Sequence, residues 1–312
     1  MADIVTLTPN PAIDLSTSID KVVPNSKLRC KAARRDPGGG GINVARVVKR
    51  LGGDVEAIFP IGGFTGQLLR RLVGDEGIPN RIIEVEAETR EDFSVTETST
   101  QQQFRFLLPG LPLRKPEWPK LLEALEASEP RPKFIVASGS LPPGVPPNFY
   151  ELAADIAAKL EAKFVVDSSG EALKAALNRG VYMIKPNLRE MCDLTGSNLS
   201  DERGWIEAAR KLIAASKTEV VALSLGHLGA MLITRELALR APALQIKTVS
   251  TVGAGDSFLG AMVFGLADGQ NLEETFRLGV AAGSAALIHE GTELSQPDDV
   301  RRMYQEVRVE RL

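Results

Sequence analysis

The hydrophobic pattern of the chain alternates between two periods. Short apolar, β-branched runs predict strands, and segments with apolar residues every three or four positions predict helices. The predicted strands are Ile4 to Thr8, Val55 to Pro60, Phe134 to Ala137, Phe164 to Asp167, Tyr182 to Ile184 and Val220 to Leu225. The clearest predicted helices are Ile42 to Leu51, Thr65 to Val73, Phe149 to Leu160, Glu171 to Leu177, Trp205 to Ala215 and Phe258 to Leu266.

Strands of this length separated by helices predict an α/β fold, with a mostly parallel central sheet covered by helices on both faces. In such folds ligands bind beyond the carboxyl ends of the strands. Small-residue turns follow three of the predicted strands, at Ser138 to Gly144, Asp167 to Gly170 and Ser224 to Gly226. Together they predict a crevice lined by backbone amides and hydroxyl groups.

Two regions, about 12–33 and 89–108, interrupt this alternation. In the second region Phe93, Val95, Phe104 and Phe106 alternate with polar residues on either side of a Thr-Ser-Thr segment. This pattern is typical of a hairpin. We therefore expect a single domain over 1–312 with a discontinuous lid, a small antiparallel sheet whose apolar face forms a homodimer surface.

Composition narrows the class of protein. The 312 residues are 44% hydrophobic and 25% charged, with a net charge of -3, which predicts a globular protein, no membrane segment and no general nucleic-acid binding. The first residues lack the basic and apolar regions of a signal peptide, so a cytoplasmic location is expected. Two cysteines and two histidines are too few for a zinc cluster or a disulfide framework.

The segment Ser250 to Ser257 places two glycines and Asp256 at the start of an apolar helix. Such a turn can direct several backbone N–H groups and the helix dipole at one anion. Asp256 then lies where a base faces the group that attacks the anion, which indicates phosphoryl transfer. Asp is also a common N-cap and glycine is ordinary turn material, so the turn alone leaves both interpretations open.

A second glycine cluster, Gly38 to Gly41, opens the helix that contains Asn43. It is not a dinucleotide fingerprint, because no apolar strand precedes it and the third glycine of that motif is absent. Four glycines still allow the backbone to approach a ligand, and Asn43 can hydrogen-bond sugar hydroxyls. Further along, Asn187 and Glu190 lie three residues apart at a helix start, where they form either a Mg²⁺ site or a capping box.

With these motifs in order along the chain, the sequence resembles the ribokinase-like, or PfkB-type, sugar kinases. The markers are Gly253 to Asp256, the glycine cluster running into Ile42 to Ala45, and Lys185 to Asn187 with Glu190. The resemblance implies a three-layer ribokinase-like sandwich with a β-lid. It also implies ATP-dependent phosphorylation of a sugar phosphate, with fructose 6-phosphate phosphorylated at the 1-hydroxyl as the favoured reaction.

The resemblance assigns roles on the sugar side of the site. Asp256 is the catalytic base, and the amides of Gly253, Ala254 and Gly255 stabilise the developing negative charge. Asp14 and the backbone from Gly39 through Gly40 to Asn43 hold the sugar. Position 139, which is a glycine, is a further candidate for sugar binding, and no particular contact is assigned to it. The cations expected at the existing phosphate are Lys27 and Arg90, followed by Arg29 and Arg105 as weaker candidates.

On the nucleotide side the resemblance implies ATP with Mg²⁺. The expected ATP contacts are Lys185, Asn187, Ser224, Gly226, Gly229 and Ser284. Glu190 is expected to hold Mg²⁺ through water. A monovalent cation, K⁺, is expected near Ser250 and Val252, in a region where His289 and Glu293 would alter the site.

Two other functions stay open from the sequence. One is a kinase of the same family acting on tagatose 6-phosphate, fructose 1-phosphate or a nucleoside. Gly40 disfavours the first two, because those enzymes typically carry a lysine in the glycine cluster. The other is a catalytically silent nucleotide-binding dimer, which the presence of Asp256 and Glu190 disfavours.

Overall fold

The computed structural model describes residues 2–197 and 199–312. Its strands are β1 (Ile4–Leu7), β2 (Ala12–Ile19), β3 (Arg34–Gly38), β4 (Val55–Ile61), β5 (Asn80–Glu84), β6 (Arg90–Glu97), β7 (Gln103–Phe106), β8 (Phe134–Ser138), β9 (Lys163–Asp167), β10 (Met183–Ile184), β11 (Val220–Ser224), β12 (Ala230–Ile233), β13 (Ala238–Ala241) and β14 (Glu310–Arg311). Its helices are α1 (Gly40–Arg50), α2 (Gly63–Asp75), α3 (Pro119–Glu126), α4 (Phe149–Lys159), α5 (Gly170–Arg179), α6 (Leu188–Thr195), α7 (Glu202–Ser216), α8 (Ala254–Ala267), α9 (Leu272–Ala286) and α10 (Pro297–Glu306).

The central sheet of the described chain has ten strands in the order β14-β13-β12-β11-β10-β9-β8-β1-β4-β5. The strands from β5 through β1 to β11 are parallel to their neighbours, whereas β12, β13 and β14 pair in the antiparallel sense. The carboxyl ends of the parallel strands therefore lie at one edge of the sheet. All six predicted strands belong to this parallel region, and the predicted α/β class is confirmed.

Two apolar clusters, one on each face of the sheet, make the fold three-layered. One cluster joins the sheet to α1, α2, α8, α9 and α10. The other joins it to α3, α4, α5, α6 and α7. Consecutive residues of β1 illustrate the division, because Ile4 belongs to the first cluster and Val5 to the second. Strands buried on both faces are continuously apolar, which is the pattern that the sequence shows.

A second sheet of four strands, β3-β2-β6-β7, lies beside the carboxyl edge and is called the lid here. The hairpin predicted from the alternating aromatic residues is present, with Phe93 opposite Phe106 and Val95 opposite Phe104. The pairs β2–β3 and β6–β7 are antiparallel, as expected for this small sheet, and the two pairs are joined by a parallel pairing of β2 with β6, with Ala12 opposite Arg90. Both strands follow central strands that end at the same edge, so the chain enters the lid twice in one direction.

One face of the lid exposes apolar side chains to solvent. Phe93 is 37% exposed and Phe106 is 56% exposed, and their rings lie 6.1 Å apart. Leu107 and Leu108, which follow the hairpin, are 60% and 54% exposed. Val95, in contrast, is buried. A small sheet with such a face is marginally stable alone.

No helix among the described residues is long and apolar enough to span a lipid bilayer.

Candidate active site

The turn that the sequence singled out lies at the N-terminus of α8. Gly253 is the N-cap and has a left-handed backbone with φ of 75°. A Cβ there would lie 2.3 Å from Leu294 Cδ2, so both backbone conformation and space require glycine. The next residues, Ala254, Gly255 and Asp256, form the first helical turn. Their N–H groups precede the first complete helical hydrogen bonds, which makes this turn suited to an anion.

Asp256 lies in this turn with its carboxylate held from α1. The side-chain amide Nδ2 of Asn43 donates a hydrogen bond of 2.8 Å to Asp256 Oδ2. Burial raises the pKa of Asp256 to about 6, and Asp167 adds to the rise, while Asn43, Lys185 and Arg105 oppose it. The side chain keeps a little accessible surface, as a group at the floor of a crevice does. A carboxylate with this pKa is a better base than an ordinary aspartate near neutral pH.

A buried ion pair lies next to the same turn. Lys185 Nζ, from the end of β10, lies 3.2 Å from Asp167 Oδ1, from the end of β9. Burial alone would lower the pKa of Lys185, but the nearby carboxylates, Asp167 foremost, outweigh burial and raise it. Lys185 therefore supplies a fixed positive charge beside Gly255, where an added Cβ would lie 3.2 Å from its Nζ.

The sequence reasoning missed Asp167 as a site residue. It treated Asp167 only as the start of a small-residue turn, yet the structure places its carboxylate between Lys185 and Ser138 Oγ, which lies 3.5 Å from Oδ2. An acidic residue at the carboxyl end of a parallel strand was the available signal.

Asp14 lies opposite Asp256 in the crevice, on strand β2 of the lid. Burial raises its pKa to about 6; a hydrogen bond from Thr292 opposes this, and the charges of Asp92 and Asp256 reinforce it. A Cβ on Gly38 would lie 2.4 Å from Asp14 Oδ1. Glycine at this position therefore makes room for the carboxylate.

The glycine cluster brings the backbone close to two strand ends. Gly39 has φ of 107°, and a Cβ on Gly40 would lie 2.1 Å from Ser138 Oγ. Gly139, in the turn after β8, has φ of 113°, and its carbonyl accepts hydrogen bonds from Tyr150 and Ser168. A side chain at Gly40 would therefore clash with the end of β8.

Arg90 and Arg105 are in the lid, and the structure gives them different surroundings. Arg90 Nη1 lies 2.6 Å from Asp92 Oδ1 and donates to the carbonyl of Leu108, while Nη2 donates to the carbonyl of Asn10. Arg90 therefore has partners on three sides. Arg105 is exposed, and its charge lowers the pKa of Asp256, so it faces the crevice.

Lys27 and Arg29 are not brought to the crevice by contacts within the chain. Both lie on the exposed segment between β2 and β3, and neither makes a hydrogen bond or an ion pair with the residues described.

The nucleotide-side residues follow β10 and β11, apart from Ser284. Asn187 forms a parallel bridge with Ser224, and Gly226 begins a 3₁₀ turn that Gly229 caps with φ of 100°. Ser284 is buried in α9. Asn187 and Glu190 form the capping box, with Glu190 Oε2 accepting from the Asn187 N–H at 2.8 Å. The other oxygen, Oε1, has no partner among the described residues and fits a water-mediated contact to Mg²⁺.

The predicted cation loop is tied to its neighbours. The Ser250 N–H donates to the carbonyl of Leu287 at 3.3 Å, and Gln103 of the lid donates to Ser250 Oγ at 3.2 Å. Val252 N–H also donates to Ser250 Oγ, at 3.2 Å. The two residues expected to alter this loop have partners of their own: Glu293 pairs with Arg34 at 2.7 Å and His289 with Asp299 at 3.0 Å.

This edge of the sheet resembles the active site of a carbohydrate kinase. Comparison with known proteins gives the same class. The family model described as pfkB family carbohydrate kinase matches residues 4–299. The chain therefore belongs to the PfkB family of carbohydrate kinases.

Individual relatives indicate which kinases of this family the chain resembles. The ATP-dependent 6-phosphofructokinase isozyme 2 of Mycobacterium tuberculosis is 45% identical over 97% of this chain and 89% of its own length. Among solved structures, phosphofructokinase-2 of Escherichia coli in complex with potassium superposes with a TM-score of 0.93 and 41% identity, and the same enzyme in complex with fructose-6-phosphate with 0.91 and 40%. Each alignment covers 98% of this chain and 99% of the solved one.

A more distant structure tests the fold alone. The ribokinase of Arabidopsis thaliana superposes with a TM-score of 0.78 at 19% identity, over 98% of this chain and 99% of the other. The expected ribokinase-like fold is confirmed.

Proposed function

We propose that this chain transfers the γ-phosphoryl group of ATP to the 1-hydroxyl of fructose 6-phosphate, giving fructose 1,6-bisphosphate and ADP. The observation that carries the proposal is the position of Asp256 in the first turn of α8, held by Asn43 and facing Asp14. The relatives at 40–45% identity, which are named 6-phosphofructokinase isozyme 2 or phosphofructokinase-2, support the choice of substrate.

In the proposed reaction Asp256 accepts the proton of the 1-hydroxyl. The hydroxyl oxygen forms a bond to the γ-phosphorus as the bond from that phosphorus to the leaving oxygen of ADP breaks. Backbone N–H groups from Gly253 to Gly255 donate to the transferred group and stabilise its charge. A loose transition state requires the proton to leave late, so a carboxylate with a pKa of about 6 is basic enough, and its orientation matters as much.

The sugar is held between the lid and the glycine cluster. Asp14 and Asn43 bind its hydroxyls, and the backbone from Gly39 to Gly40 lies alongside. Arg90 and Arg105, with Lys27 and Arg29, supply the positive charge that the existing phosphate requires. Arg90 would contribute from a fixed position because Asp92 and two carbonyls already orient it.

The nucleotide lies over the ends of β10 and β11. Lys185, Asn187, Ser224, Gly226, Gly229 and Ser284 form its proposed contacts. Glu190 holds Mg²⁺ through water, and the ion supplies charge neutralisation of the phosphates when bound. K⁺ binds near the carbonyls of Ser250 and Val252; this proposal is supported by the pairing of Glu293 with Arg34, which directs that carboxylate elsewhere.

We also propose that two copies pair through their lids. Phe93 and Phe106 form an exposed aromatic pair, and Leu107 and Leu108 extend the apolar face. A second lid placed against this face would remove it from water, which favours association. The cytoplasmic location expected from the sequence stays a prediction.

A coupled assay of ADP release tests the function directly. Fructose 6-phosphate, tagatose 6-phosphate, fructose 1-phosphate and a nucleoside are compared at equal concentrations with ATP and Mg²⁺. We expect the highest kcat/KM for fructose 6-phosphate, with Asp256→Asn as the inactive control. A higher kcat/KM for another acceptor would replace the substrate assignment. No ADP release with any acceptor would favour the silent nucleotide-binding alternative.

A further inference from the structure

Arg46 is a charged side chain with almost no contact with solvent. It lies on α1, three residues after Asn43, and is 1% exposed. Its Nε donates to Glu76 Oε1 at 2.7 Å, and the two hydrogens of its Nη1 are shared among three oxygens: Asn43 Oδ1 at 3.2 Å and the carbonyls of Pro37 at 3.0 Å and Thr292 at 2.9 Å. Its Nη2 has no hydrogen-bond partner among the described residues and lies 3.9 Å from Asp36 Oδ1. A buried guanidinium is costly without partners, so the contacts of Nε and Nη1 and the nearby carboxylates offset part of that cost.

The contact with Asn43 has a consequence for the direction of the Asn43 side chain. An asparagine side chain has one acceptor, the carbonyl oxygen, and one donor, the NH₂ group, whereas an arginine only donates. Arg46 therefore fixes Oδ1 of Asn43 toward itself. The NH₂ group must then point the other way, where it donates to Asp256 Oδ2 at 2.8 Å. A flipped amide would set two acceptor oxygens against each other.

We propose that Arg46 is a positioning residue for the phosphoryl transfer, acting through the amide of Asn43 on the carboxylate of Asp256. The inference rests on the proposed role of Asp256 as base. Arg46 has no contact with the carboxylate itself. Its effect is to keep one orientation of Asn43, and so one orientation of the base, during turnover.

The other contacts of Arg46 define a competing role. Its hydrogen bond to the Thr292 carbonyl supports the loop that contains Thr292, and the side chain of Thr292 binds Asp14. Its hydrogen bond to the Pro37 carbonyl supports the start of the glycine cluster. If these were its main purpose, loss of Arg46 would weaken sugar binding and raise the KM for the sugar phosphate. An effect through Asn43 lowers kcat, and a rise in KM from a weakened contact between Asn43 and the sugar can accompany that fall but not replace it.

The test begins with Arg46→Met and a matched control, Arg50→Met. Arg50 lies one turn further along α1, pairs with the same Glu76 at 3.1 Å and donates to the carbonyl of Glu293 in the same loop as Thr292. It has no contact with Asn43. We expect Arg46→Met to lower kcat about tenfold to a hundredfold, as small misplacements of reacting groups do. Arg50→Met should keep kcat within about threefold, since it leaves the orienting contact intact.

A double-mutant cycle then identifies the route of the effect. In an Asn43→Ala background, where no amide remains to be oriented, Arg46→Met should change kcat by less than about threefold. A further loss of tenfold or more in that background overturns the inference, as does a wild-type kcat in folded Arg46→Met. A raised KM for the sugar phosphate with unchanged kcat also overturns it in favour of the loop-support role.

Two further variants keep the result interpretable. Arg46→Lys retains the buried positive charge but not the planar group that reaches Glu76 and Asn43 together, so it should fold and still lose kcat about tenfold or more. Circular dichroism and thermal unfolding verify folding of each variant. Asp256→Asn is measured in parallel: if it keeps wild-type kcat, the proposed base is wrong, whereas an inactive Asp256→Asn beside a fully active Arg46→Lys refutes only the role of Arg46.

Discussion

Substitution of Asp256 by asparagine affects catalysis and stability in opposite directions. The amide has nearly the shape of the carboxylate, and its oxygen can still accept the hydrogen bond from Asn43. It cannot take a proton from the sugar hydroxyl. A general base contributes about 10²–10⁴-fold to turnover, so kcat should fall by that factor. The KM values for ATP and for the sugar phosphate should stay near those of the wild type.

The stability change follows from the pKa of the same group. The pKa of Asp256 is about 6 in the folded protein, against an ordinary value of 3.8. The folded state thus holds the proton more tightly than the unfolded chain. The ionised carboxylate costs the folded state free energy, in full above pH 6 and progressively less as the pH falls toward 4. A rise of the pKa from 3.8 to about 6 corresponds to about 3 kcal/mol, and because the residue is only partly buried, screening by solvent reduces this to about 1–2 kcal/mol.

Asp256→Asn should therefore be more stable than the wild type at pH 8, with the difference shrinking as the pH is lowered to 5. Urea unfolding at the two pH values measures this difference, and the ADP assay measures turnover. The control is Asp75→Asn, since the Asp75 side chain is 65% exposed and its one ion pair among the described residues is with Arg71. Near-normal kcat would refute the role of Asp256 as base. An unchanged or lower free energy of unfolding at pH 8 would refute the argument from burial.

Other outcomes follow from the same geometry. Because Asp256 works only when ionised, kcat/KM for fructose 6-phosphate should be level above its pKa of about 6 and decline below it, and a profile flat down to pH 5 would contradict this. Arg90→Ala should raise the KM for the sugar phosphate about tenfold to a hundredfold, since a charged hydrogen bond contributes about 1.5–3 kcal/mol, and should change the KM for ATP little. The control Asp92→Asn keeps the arginine and should change the KM for the sugar phosphate less. Equal changes in both KM values after Arg90→Ala would count against the assignment. Phe106→Asp should shift sedimentation toward the monomer and lower activity. The control is Leu312→Asp, since Leu312 is an apolar residue of similar exposure. A fully active wild-type monomer at assay concentration would refute the lid dimer.

The central sheet could be predicted from the sequence because its strands are buried on both faces. Ile4–Leu7 is apolar except for Thr6, and Val220–Ser224 is apolar up to its last residue, whereas a half-buried strand would alternate apolar with polar positions throughout. The turn at Gly253 could be located in a similar way, since glycine and aspartate before an apolar helix mark a helix start. Strands β12, β13 and β14, which form one end of the sheet, were not predicted, and the last of them, Glu310–Arg311, is charged at both positions and has no apolar pattern.

Pairings between distant residues were beyond the sequence. Nothing local indicates that Lys185 meets Asp167, or that Arg46 reaches Asn43 and Thr292 at once. The partner of Arg90 is different, because Asp92 lies two positions along the same strand and therefore on the same face. That spacing was a usable signal. The parallel pairing of β2 with β6 depends on where the central strands end, which only the assembled sheet determines.

That parallel pairing has a consequence for the order in which the molecule folds. Strands β2 and β6 come from distant parts of the chain, 12–19 and 90–97, and closing so long a loop is entropically unfavourable for an isolated pair. Strands β1, β4 and β5 bring the two segments out at one edge of the central sheet. We therefore expect the lid to form after the central sheet and to open before it by local unfolding.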